Sequence, residues 1–114
     1  MTATKIIMKL ASIAGGAGTT ELSVKDIWHG VRKYILFANI TEIGGSPTNV
    51  QISLTEKVSG DVKLASGTIT ATSAGAAKTS LIDSIGVDAE ITVVFSGGSS
   101  PSVTADVYII AYEQ

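Results

Sequence analysis

Two turns of almost the same composition divide this chain into blocks, and they restrict its fold more than any other feature. Gly44-Gly45-Ser46-Pro47 follows the apolar stretch Tyr34 to Ile43 and precedes Thr48 to Glu56. Gly97-Gly98-Ser99-Ser100-Pro101 follows Ala89 to Phe95 and precedes Ser102 to Tyr112. Glycine supplies positive φ at tight turns, and proline is tolerated at a strand's first residue. Each block therefore reads as a hairpin, a strand folded back on itself at its turn. Turn chemistry accounts for the repetition more simply than an internal duplication does.

The rest of the chain continues in the same style. Thr4 to Ser12 alternates as a strand, with Ile6, Met8 and Leu10 on one face and Lys5, Ile7 and Lys9 on the other. Ala14 to Thr20 is a glycine-rich loop without the Gly-Lys-Ser/Thr ending of a phosphate-binding loop. Glu21 to Gly30 supports either a strand through Leu22 and Val24 or a helical turn capped by Ser23 and Asp26. Val31 to Ile43 is apolar on both faces, as in a strand that is central or covered twice. Asn49 to Thr55 places Val50, Ile52 and Leu54 inward and its polar residues outward. Glu56 to Asp61 is a turn. Val62 to Thr72 is a strand interrupted at Gly67, which marks a bulge or a change of sheet. Ser73 to Ala77 reads as a connection, Lys78 to Ser84 as a short strand, and Gly86 as the turn into the closing hairpin. About eight strands at intervals of about a dozen residues, with no long helix, predict an all-β chain. The expected architecture is a single β-sandwich spanning 1–114, antiparallel, jelly-roll-like or immunoglobulin-like. Residues 1–18 supply its N-terminal strand and Gly-rich loop.

Composition narrows the function. Charged residues are 16% of the 114, against about 25% in typical soluble domains, so part of the exterior is expected to be covered by copies of the chain or by a partner. The net charge of −2 and the scattered basic residues argue against nucleic acid. Without cysteine there are no disulfides or thiolate metal sites. No stretch reaches the ~20 apolar residues of a membrane helix, and Lys9 breaks the only candidate signal peptide.

His29 is the only histidine, with no Gly-x-Ser-x-Gly elbow to serve and no second ligand at metal-binding spacing. Asp83, Asp88 and Glu90 have the residue types of a glycosidase cleft, and Asp61, Asp83 and Asp88 those of a calcium site. Acidic residues beside turns are ordinarily solvated, so no catalytic, cofactor-binding or metal-ligating residue is expected, and the chain is read as not an enzyme. Trp28, with Tyr108 or Tyr112, has the ring types of a sugar-stacking platform. Asn39-Ile40-Thr41 fits the glycosylation sequon but falls in a strand expected to be buried. The last strand is apolar or aromatic on both faces from Val107 onward. Tyr108, Ile110 and Tyr112 are thus the expected protein interface, since tyrosine is enriched at such contacts.

The runs Asn49 to Leu54, Ser59 to Thr70 and Phe95 to Thr104 resemble small accessory proteins of tailed-phage and related virus particles, capsid decoration proteins above all. Together they lie within roughly the final two-thirds of the chain. The resemblance implies a non-enzymatic structural protein that binds and stabilises a capsid lattice, with a major capsid protein or other virion protein as partner and a homo-oligomeric state. It also implies location in a virion assembled in the host cytoplasm. The same strand and turn style occurs in tail-fibre receptor-binding tips and carbohydrate-binding modules. A further alternative is an extracellular filament subunit that donates Thr4 to Ser12 to a neighbour's sheet.

Overall fold

The computed structural model describes residues 4–22, 31–59, 62–84 and 88–113. Among these it contains strands and no helix: β1 (Thr4–Gly15), β2 (Gly18–Leu22), β3 (Val31–Gly44), β4 (Asn49–Ser59), β5 (Val62–Ala71), β6 (Gly75–Lys78), β7 (Ile82–Asp83), β8 (Ala89–Ser96) and β9 (Ser102–Glu113). One sheet has the order β1-β9-β3-β6, with β7 also on β3, and the other has the order β2-β8-β4-β5. The chain is an all-β sandwich of antiparallel strands.

The strand order distinguishes between the two expected architectures. Both β6 and β7 lie along β3, so they act as one strand interrupted at 79–81. With that counted once, the first strand pairs with the last, the second with the last but one, the third with β6 and β7, and the fourth with the fifth. This nesting is the jelly roll, one long antiparallel ribbon rolled into two sheets. An immunoglobulin order is excluded, because almost every connection here changes sheet, whereas only β4 to β5 joins adjacent strands directly.

The two glycine turns are therefore not hairpins. The chain passes from β3 in one sheet to β4 in the other, and from β8 back to β9. Because β3 pairs with β9 and β4 with β8, both turns round the same corner side by side. The Thr48 amide donates to the Ser96 carbonyl at 2.7 Å and the Ser99 amide to the Gly45 carbonyl at 2.9 Å. Gly45, Ser46, Gly97, Gly98 and Ser100 all have positive φ, the conformation that glycine adopts at least cost. The sequence shows a turn but not which sheet the next strand joins.

Two further expectations change, and an open alternative is resolved. The segment read as the connection Ser73 to Ala77 contains most of β6, whose alanine and glycine carry no strand propensity and which is held by pairing with β3. The loop between β1 and β2 shrinks to 16–17. Gly67 marks a bulge rather than a change of sheet, since Leu54 faces Gly67 and Thr55 faces Ala65, leaving Ser66 extra. Beyond Leu22, the segment up to Gly30 lies outside the described residues, as do Gly60, Asp61 and the turn at Gly86.

The core follows from the period-two alternation of strands. Leu36 and Ile40 of β3, Ile52 and Leu54 of β4, Ile91 of β8, and Val107 and Ile109 of β9 are all buried between the sheets. Each contributes about 1.5–3 kcal/mol. In β1, Met8 and Leu10 pack against this core as expected, and a bulge between Lys9 and Ala11 brings Ala11 and Ile13 to the same face.

Candidate functional site

The last strand, β9, lies between β1 and β3, and its alternation sets two different surfaces. Val103, Ala105, Val107, Ile109 and Ala111 point into the core and are buried. Tyr108, Ile110 and Tyr112 point away from it and are only half-buried. Register supplies their neighbours. Ile7 of β1 and Ile35 of β3 flank Ile110, while Lys9 and Phe37 flank Tyr108. Directly opposed side chains on one face stand ~4.5–5.5 Å apart at Cβ, so these residues form one continuous apolar patch. Phe37 and Tyr108 meet edge to face, with ring centroids 6.0 Å apart. A shallow cavity of about 330 Å³ opens between Ile7, Phe37, Asn39, Tyr108 and Ile110. Ile7 is 65% exposed, the most open large apolar side chain among the described residues.

Charge surrounds this patch. Lys5 and Lys33 lie on either side of Tyr112. Lys9 lies beside Tyr108, and Lys78 lies across Phe37 from it. Asp106 accepts a hydrogen bond from the Ser12 hydroxyl at 2.8 Å and pairs with Lys9 at 3.2 Å. The Ser12 hydrogen bond, then the Lys9 ammonium, hold the Asp106 carboxyl below its ordinary range. Lys33 pairs with Asp83 at 3.5 Å. Neither Lys5 nor Lys78 has a carboxylate partner among the described residues.

Tyr108, Ile110 and Tyr112, singled out from the sequence, thus share one face. That face is not covered a second time within the described chain. The sequence alone does not bring Ile7, Ile35, Phe37 and the four lysines to this face. The alternation Lys5-Ile7-Lys9 places Ile7 opposite the core, but nothing local aligns it with Ile110, more than a hundred residues along the chain.

Other candidates fall elsewhere. Trp28 and His29 lie outside the described residues, so the ring platform of Trp28 with a terminal tyrosine is not built here. Asn39 is exposed on the outer face rather than buried, because β3 alternates and only Ala38 and Ile40 beside it point inward. Asp83 and Glu90 belong to different sheets and are held by different lysines: Asp83 by Lys33, and Glu90 by Lys57 at 3.9 Å. Lys57 also pairs with Glu21, and fully buried Glu56 accepts from the Ser84 hydroxyl at 3.3 Å. These contacts join elements at one end of the sandwich. Among the described residues no group of three His, Cys, Asp or Glu side chains can hold a metal ion.

The outer face of the second sheet is polar by contrast, apart from the exposed Val94. Thr19, Thr92, Ser53 and Thr68 form a row across all of its strands, joined in part by hydroxyl contacts of 3.3 and 3.0 Å. No known protein family, curated protein or solved structure matches the chain.

Proposed function

We propose that this chain is a non-enzymatic structural protein of a virus particle, a decoration protein that binds a capsid lattice through the outer face of the β1-β9-β3-β6 sheet. The observation that carries this reading is the apolar patch of Ile7, Ile35, Phe37, Tyr108, Ile110 and Tyr112 on a sheet whose other face is already the core. A face of this kind, centred on aromatic rings and rimmed by charge, has the composition of a protein interface. The jelly-roll order suits a virion protein as it suits lectin domains and cupins, so it supports the reading without deciding it.

A sandwich that docks only on assembled subunits stabilises the assembly by mass action. The decoration role thus needs a rigid body and one complementary face, with no chemistry. The filament alternative is less favoured, because β1 runs along its own chain's β9 from Thr4 to Gly15 and is not free for donation.

In virus particles from the source of this chain, the protein should travel with intact capsids through a density gradient. Capsids stripped of it should release their contents at a lower temperature and regain resistance when it is added back. Capsids that never carry it, or that melt identically with and without it, would overturn the reading.

A further inference from the structure

The docking face described above also carries information about what it docks. We infer that its partner presents a protruding large apolar side chain flanked by carboxylates, an acidic-rimmed knob that fills the cavity between Ile7, Phe37, Asn39, Tyr108 and Ile110. This rests on the reading of that face as the interface.

Charge complementarity is the first argument. Lys5, Lys9, Lys33 and Lys78 make up four of the chain's eight basic residues, and registration gathers all four around one patch. The described carboxylates bridged to them are Asp106 and Asp83, each holding one lysine. Lys5 and Lys78 stand at opposite corners, exposed and without an ion pair among the described residues. With Glu42, exposed across from Thr104 on the same face, the described charges there are four lysines against Asp106, Asp83 and Glu42, a positive balance on a chain whose net charge is −2. Such an arrangement steers an acidic partner and fixes its register.

Shape is the second argument, and it separates the occupants that share this chemistry. An anionic membrane is entered by several protruding apolar side chains, whereas here Ile7 alone stands out and the rings of Phe37, Tyr108 and Tyr112 lie half-buried around a shallow cavity. A shallow cavity beside a single protruding Ile7 receives a side chain from a partner. A second copy meeting the same face across a two-fold axis would bring both lysine sets together, and like charges across an interface disfavour association.

The test uses the full chain and two synthetic peptides, one with a phenylalanine between two pairs of glutamates and one with lysines in their place. Amide resonances are followed on titration at low salt. The acidic peptide should perturb the amides of Ile7, Phe37, Asn39, Tyr108 and Ile110. It should bind at least tenfold tighter than the basic one and weaken as salt is added. Lys5→Glu with Lys78→Glu should reverse the preference while thermal melting stays unchanged, since both side chains are exposed; Lys5→Gln with Lys78→Gln should abolish it. Equal binding of both peptides would overturn the inference. So would co-sedimentation with phosphatidylserine-containing vesicles, or a concentration-dependent dimer that shifts the same amides. If Tyr108→Ser still abolishes capsid binding while the two peptides bind alike, the docking face stands and its acidic preference falls. If Tyr108→Ser leaves capsid binding intact, both fall.

Discussion

Gly98 lies directly against the carbonyl of Gly45: a methyl group on Gly98 would sit 2.8 Å from that oxygen, and one on Gly45 would sit 2.5 Å from the Ser99 carbonyl oxygen. The two corner turns are therefore packed backbone to backbone, at distances that only glycine allows. Both glycines also have positive φ, +83° and +78°. Gly98→Ala and Gly45→Ala should each cost more than about 2 kcal/mol, from strain and overlap together. Gly18→Ala, with nothing within 4 Å and no positive φ, should stay within about 0.5 kcal/mol. Urea denaturation of the three variants checks this, and equal losses at Gly98 and Gly18 would contradict it.

The two faces of β9 should respond differently to truncation. Ile109→Ala removes a fully buried side chain and should cost about 2–5 kcal/mol. Ile110→Ala, on the open face, should cost under about 1 kcal/mol in the isolated chain. Denaturant midpoints at constant slope report the difference.

This contrast also marks how far the sequence could be read. The inward run Val50, Ile52 and Leu54 was legible because a strand's period of two writes itself into neighbouring residues. So was the doubly apolar end of β9, which drew notice to Tyr108, Ile110 and Tyr112. The course of the corner turns was not legible, since Gly-Gly-Ser looks the same whether the following strand returns to its sheet or crosses to the other. Nor was the full patch, because Ile7, Phe37 and Lys78 join Tyr108 and Ile110 only through pairings between distant strands. Strand β6 was missed because Gly75, Ala76 and Ala77 have no strand character of their own and take it from β3.

Asp106 offers a test in acid. Its folded carboxyl is held below the ordinary carboxylate value, first by the Ser12 hydroxyl and then by Lys9. A depressed folded pKa stabilises the fold above the unfolded value, and that contribution is lost as pH falls through the folded one. Ser12→Ala should move the Asp106 titration upward, toward the ordinary carboxylate range, as followed by carboxyl-carbon resonances. An unchanged titration would mean that the Ser12 contact is not maintained in solution.

The proposed docking face is tested most directly by adding wild-type protein and Tyr108→Ser with Tyr112→Ser protein back to capsids stripped of the chain, and measuring binding against concentration. Truncating an anchor at the centre of an interface costs about 2 kcal/mol or more. The double variant should therefore bind at least tenfold more weakly while melting within a few degrees of the wild type. Equal binding by a folded double variant would contradict the assignment of this face. A variant that unfolds at every concentration, alongside a wild type that does not bind capsids, would show instead that the outer face of β9 serves the fold alone.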